Sequence, residues 1–258
     1  MAGLTNAFSD IAHIYQLFND NQIYQEWLAF TLRQCDKFPE KVLDIACGNG
    51  ILTNMIGQFS HQFIGIDYDL KMIEQAKHNY PQGHWLVKNM LDLSSLDQDF
   101  DLVTCYLDSL CFLESQEALQ LAINQAYHRL IPGGIFLCDV WTQERLLQFN
   151  GYEYVDFYED TSLIWMSEAG FVDDIATVDH HLIGFERLKS SDYFRRITVD
   201  LTERTYHLNT YIDTFIQAGF KLDQIEVFPD ASQEAAKNLE KLANDHTIER
   251  WFFKARKV

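Results

Sequence analysis

Val42-Leu43-Asp44-Ile45-Ala46-Cys47-Gly48-Asn49-Gly50, followed downstream by Phe63-Ile64-Gly65-Ile66-Asp67, decides how this chain folds. The first apolar run reads as a buried strand. It enters a turn with two glycines, ahead of a helical segment over 51–56. The second run reads as a strand closed by an acid, 23 residues after Asp44. A turn that opens a helix presents backbone N–H groups and the positive end of the helix dipole. Glycine lets a ligand come close to the backbone there. An acid at the tip of the next strand, about 20 residues on, suits a ribose diol. Together these features read as a nucleoside-type cofactor at the carboxyl edge of a doubly wound α/β sheet.

The same stretch narrows the choice of cofactor. Gly48 and Gly50 fit the first two positions of the dinucleotide fingerprint G-x-G-x-x-G, but Thr53 stands in the third, and the lysine of a P-loop is absent. Asp44 sits badly beside a phosphate and suits a ligand with an ammonium group. D-x-A-C-G-x-G, carried by Asp44, Ala46, Cys47, Gly48 and Gly50, with Asp67 downstream, resembles motif I and the acidic ribose site of class I S-adenosylmethionine-dependent methyltransferases. Leu130-Ile131-Pro132-Gly133-Gly134 resembles the L-x-P-G-G turn of the same superfamily, which a dehydrogenase fingerprint lacks.

Composition sets the outer bounds. The chain has 258 residues, 47% of them hydrophobic and 14% aromatic, so a packed α/β domain with room for an insert is expected. A formal net charge of −18 repels polyanions, so a small neutral or cationic partner is expected rather than nucleic acid. No apolar run reaches the roughly 20 residues of a membrane span. The N-terminus has no basic region or signal core, which predicts a cytoplasmic protein. The five cysteines form no C-x-x-C pair, so reduced thiols and no metal site are expected.

Apolar residues at helical spacing over 7–35, broken at Asn19-Asp20-Asn21, predict two N-terminal helices. Strands are expected at 41–46, 62–67, 84–88, 99–105 and 135–140. A helix capped by Asp69 and an amphipathic helix over 115–130 lie between them. Tyr68 and Met72 can sandwich an adenine. Asn89 and Met90 at the third strand tip can meet its edge, Asn89 through its carbonyl oxygen. Tyr106, Leu107 and Asp108 follow the fourth strand, where a reacting group should lie. From Gly151 the period changes. Ile197, Val199 and Leu201 alternate with Arg196, Thr198, Asp200, Thr202 and Arg204, which indicates an antiparallel sheet with one wet face. The expected organisation is a cofactor domain from 1–150 and 207–258, with a β insert at 151–206 over the substrate pocket. After the insert a helix over 208–216, a strand at 220–228, a helix at 235–243 and a last strand over 248–255 at the sheet edge are expected.

The match extends beyond motif I. Tyr24-x-x-Trp27, Cys105-Tyr106-Leu107-Asp108-Ser109-Leu110, the insert residues Trp165, His180-His181 and Glu203-Arg204-Thr205-Tyr206, and Ile248-Glu249-Arg250-Trp251-Phe252-Phe253 are similar to the bacterial YqeM-like group of class I methyltransferases. They are more distantly similar to sugar N-methyltransferases. The resemblance implies a Rossmann-like, doubly wound seven-stranded sheet with an antiparallel β insert, S-adenosylmethionine as cofactor, and the helices of 7–35 as its lid. It implies that Tyr15 and Trp27 contact the methionine part, and that Asp44 with the backbone of 46–50 holds it. Asp67 would hold the ribose, Tyr68, Met72, Asn89 and Met90 the adenine, while Tyr106 and Leu107 flank the sulfonium. The expected activity is methyl transfer to nitrogen or oxygen of a small molecule by in-line displacement. A cofactor-binding scaffold without turnover and an RNA methyltransferase are the alternatives. Asp108 is the candidate to orient or deprotonate the acceptor, its rival role being a cap on the next turn. Arg196 and Arg204 are candidates for an acidic group on the substrate, against ordinary ion pairing. His180 and His181 point to opposite faces of a strand, so only one can meet a pocket.

Overall fold

A computed structural model describes residues 7–17, 22–97, 99–189, 191–228 and 247–258. Helices α1 (Ala7–Leu17) and α2 (Gln22–Gln34) precede β1 (Lys41–Ile45), α3 (Ile51–Gly57), β2 (Gln62–Asp67), α4 (Leu70–Asn79) and β3 (His84–Val87). The chain then forms β4 (Phe100–Cys105), a 3-10 turn (Ser109–Phe112), α5 (Gln116–Arg129), β5 (Leu130–Trp141) and α6 (Gln143–Leu147). Strands β6 (Tyr152–Tyr158), β7 (Thr161–Val172), β8 (Ile175–Arg187) and β9 (Phe194–Thr205) follow, then α7 (Leu208–Gln217), β10 (Phe220–Phe228) and β11 (Arg250–Lys257).

The first sheet has seven strands in the order β3-β2-β1-β4-β5-β11-β10. β1 pairs in parallel with β2 and β4, while β11 is antiparallel to both β5 and β10. Val42, Leu43 and Ile45 of β1 and Leu102, Val103 and Cys105 of β4 are buried. Helices cover both faces of these central strands, which is why their apolar runs are continuous rather than alternating. From β1 the chain steps outward through β2 to β3, then crosses to β4 and β5 on the other side. The order therefore reverses between β1 and β4, and ligands bind such sheets beyond the strand tips at that reversal.

The last strand departs from expectation. It lies inside the sheet, between β5 and β10, rather than at the edge. Trp251, Phe252, Phe253 and Ala255 are all buried, so both faces of β11 are covered. An edge position would leave one row of its backbone groups unpaired beside that apolar surface. The helix expected at 235–243 lies outside the described residues.

The second sheet is an antiparallel meander, β6-β7-β8-β9. One part of its inner face, Leu163, Leu182 and Val199, packs on Ile11 and Ile14 of α1. Gly184 makes that approach possible, because a Cβ there would lie 2.5 Å from Ile14 Cδ1. Another part, Ala176 and Val178, packs on Leu146 and Phe149 around α6.

Candidate functional site

The β1–α3 turn is built from local stereochemistry. Ala46, Gly48 and Gly50 take φ values of 57°, 54° and 82°, so the backbone curls around its own N–H groups. Gly50 and Gly48 are required for different reasons. A Cβ on Gly50 would meet Trp85 Cη2 at 2.6 Å, whereas among the described residues nothing lies within 4 Å of a Cβ on Gly48. Gly50 makes room for the core, and Gly48 leaves the turn open on its outer side. Trp85 is also the reason for Gly65 and Gly83, whose Cβ positions fall 2.4 and 2.5 Å from its ring.

Both acids at the strand tips are engaged. Asp67 accepts from the backbone N–H of Gly48 and of Asp69, each at 2.8 Å. A carboxylate has about four acceptor sites, so each oxygen keeps one for a ligand. Burial raises the Asp67 pKa, opposed by these backbone donors. Asp44 is 3% exposed and accepts from the hydroxyls of Thr104, at 2.6 Å, and Thr53. Burial pushes its carboxyl up to about 6, the two hydroxyls hold it down, and the Asp67 charge adds to the rise. Thr53, which breaks the dinucleotide fingerprint, is thus a partner of the first acid.

The other expected cofactor residues divide. Tyr68 is exposed, and Asn89 and Met90 are half-buried. Asn89 Oδ1 accepts from Leu91 N at 2.9 Å, closing the turn after β3. Met72 is buried in α4, whose cap is Asp69. Trp27 and Tyr106 are committed to the core instead of offering a free face. The Tyr106 hydroxyl pairs with Thr31 Oγ1 at 2.8 Å, and the Trp27 indole N–H donates to Asp139 at 2.9 Å. The Tyr15 side chain lies outside what the structure describes.

A second polar cluster sits beside the β4 tip, and Asp139 of β5 is its centre. It is fully buried and accepts from the backbone N–H of Leu107 at 2.7 Å and Asp108 at 3.3 Å. Leu107 and Asp108 take φ values of 54° and 55°. Left-handed backbone costs a non-glycine residue about 1–2 kcal/mol, and aiming both N–H groups at one carboxylate offsets it. Arg250 of β11 ties the cluster together. Its guanidinium donates to Asp139 and pairs with Asp108 at 2.7 Å, and it stacks 3.3 Å from the Trp141 ring centroid. Burial raises the Asp108 pKa; Arg250 opposes this, while Glu203 and Asp139 add to it. Sequence reasoning did not single out Asp139 or Arg250. The signal was there: an acid inside Ile135-Phe136-Leu137-Cys138-Asp139-Val140 needs a buried partner.

A family described as a methyltransferase domain matches residues 42–134, from β1 into β5. The YqeM protein of Bacillus subtilis (strain 168) is 26% identical over 97% of this chain and 97% of its own length. Residues 42–134 thus carry a methyltransferase domain, and the chain has the class I methyltransferase fold. A solved S-adenosylmethionine-dependent methyltransferase from Clostridium acetobutylicum ATCC 824 superposes with a TM-score of 0.78 at 19% identity, covering 97% of this chain and 98% of that one. The sugar N-methyltransferase KedS8 from Streptoalloteichus sp ATCC 53650 gives 0.71 at 17% identity over 95% and 93%. At such identities the likeness establishes the shared fold.

The second sheet turns two faces in different directions. His180 and Glu203 lie on the buried inner face, and β9 packs against the 3-10 turn after Asp108. His181, Arg196 and Arg204 lie on the opposite face, because adjacent strand residues point oppositely. Arg196 is exposed, and His181 pairs with Asp200. The two arginines therefore do not join Asp108, and their expected substrate role has no geometric basis here. A hollow of about 570 Å³ on this outer side is lined by acids including Glu153, Glu168, Asp179 and Asp200.

Proposed function

We propose that this chain transfers a methyl group from S-adenosylmethionine to nitrogen or oxygen of a small-molecule acceptor. The observation that carries the reading is Asp67. It is bonded to the turn it faces and keeps an acceptor site on each oxygen, beside a Gly48 whose outer side is open. That arrangement fits a ribose diol at the sheet reversal. Asp44 supplies buried negative charge for a cationic amino-acid portion, and the backbone of 46–50 lines it. Tyr68, Met72, Asn89 and Met90 surround the position for adenine, and Leu107 flanks the reacting end.

When bound, S-adenosylmethionine supplies a methyl group already activated by its sulfonium. The protein's tasks are to align the acceptor, to exclude water and to accept a proton. Asp108 follows the β4 tip and pairs with Arg250; in this reading it orients the acceptor. The helices of 7–35 and the second sheet cover the reacting side in this reading. Calorimetry with S-adenosylmethionine and with NAD tests it. The first is expected to bind and the second not, and Asp67→Asn is expected to weaken binding by about tenfold or more. Binding of NAD, or unchanged affinity in the variant, would overturn the assignment.

A further inference from the structure

The cluster beside the β4 tip carries more negative charge than the described residues balance. Asp108, Asp139 and Glu203 are close enough for the latter two to raise the Asp108 pKa, and Cys111 of the 3-10 turn feels both Glu203 and Asp108. Among the described residues, Arg250 is the cation paired with either aspartate. Glu203 has a different neighbour, His180, whose Nε2 lies 3.3 Å from Glu203 Oε1. The Trp165 indole N–H donates to His180 Nδ1 at 3.0 Å, and Ser167 Oγ lies 2.7 Å from the same nitrogen. Both contacts fix the ring so that Nε2 is the nitrogen turned to Glu203 Oε1. Among the described residues, Asp108, Asp139 and Glu203 have one guanidinium beside them, that of Arg250.

The imbalance has a place where it is felt. Glu203 Oε2 is buried and has no hydrogen-bond partner among the described residues, and the side chain is only 9% exposed. A buried carboxylate with one oxygen unfilled is unfavourable unless something completes it. A neutral hydroxyl would fill the oxygen but leave the charge. A carboxylate or phosphate would add to the excess. A cation that donates hydrogen bonds satisfies both.

We propose that Glu203 and Asp108 form an ammonium site, so that the acceptor is an amine, bound as its cation and methylated on that nitrogen. This rests on the methyl-transfer reading above and narrows it from nitrogen or oxygen to nitrogen. The ammonium gives a proton to one of the two carboxylates, which frees its lone pair. That lone pair forms the N–C bond to the methyl carbon as the C–S bond breaks, and the electron pair of that bond stays on sulfur as a thioether. The carboxylate then passes its proton to water, and the product leaves as the methylated ammonium. His180 is a positioning residue, fixing Glu203 Oε1 so that Oε2 faces the amine.

Thermal unfolding of the 258-residue chain, with benzylamine and benzyl alcohol as matched probes, tests the site without S-adenosylmethionine. Benzylammonium is expected to raise the midpoint near neutral pH, and benzyl alcohol to leave it in place. Glu203→Gln is expected to weaken the amine effect about tenfold or more and to raise the midpoint of the ligand-free chain, since it removes uncompensated charge. A carboxylate that only braced His180 would give a lower midpoint on substitution. Equal response to amine and alcohol, no response to the amine, or a destabilised Glu203→Gln chain would overturn the proposal. S-adenosylmethionine titrated separately into the wild type tells failure of the methyl-transfer reading apart from failure of this one.

Discussion

Replacing Asp44 with asparagine keeps the shape of the side chain and removes its charge. In the folded chain this carboxyl titrates at about 6, against an ordinary 3.8. Each pH unit of difference is worth about 1.36 kcal/mol, so the ionised form costs the ligand-free fold on the order of 3 kcal/mol. The folded state holds the proton longer than the unfolded state does. The cost is therefore absent below the unfolded pKa, grows as pH rises between the two values, and is complete above the folded one. Wild-type stability minus that of Asp44→Asn is expected to fall by on the order of 3 kcal/mol from about pH 4 to about pH 7.5. Urea unfolding followed by tryptophan fluorescence across that range measures it. The slope is the signal, because asparagine also disturbs the Thr53 and Thr104 hydroxyls by an amount that pH does not change. A cationic ligand prefers the ionised carboxyl, so S-adenosylmethionine affinity should rise with pH through about 6 in the wild type and stay flat in the variant. A stability difference independent of pH, or a variant with wild-type affinity and pH dependence, would refute the reasoning.

The two turn glycines should separate stability from binding. Gly50→Ala meets the Trp85 ring at 2.6 Å with φ at 82° and is expected to cost about 2–4 kcal/mol in urea unfolding. Gly48→Ala, with open space around it, should cost only about 1–2 kcal/mol yet reduce S-adenosylmethionine affinity in calorimetry; undiminished affinity would mean that no ligand approaches the turn there. Arg250→Met leaves Asp108 and Asp139 buried without their cation and is expected to cost about 3–5 kcal/mol near neutral pH. That loss should shrink in acid, as the carboxyls protonate; a loss below about 1 kcal/mol would show that the guanidinium does not hold the cluster.

Local chemistry was legible from residue order alone. The strand–turn–helix at Asp44 to Gly50, the acid at the next strand tip and the alternation in β9 follow from turn stereochemistry, burial period and the direction of adjacent side chains. These act over a few residues, so a linear reading suffices for the sheet class. Tertiary structure decided the rest. Asp139 meets Arg250 across 111 positions, and Trp27 reaches Asp139 across 112. Arg204 and Glu203 part company because the inner face of β9 is buried while the outer one is not. β11 moved from the expected edge to the interior because β10 took the edge. Such partnerships depend on which strands lie side by side, and strand order is set by burying whole faces against one another, a property no local stretch of residues possesses.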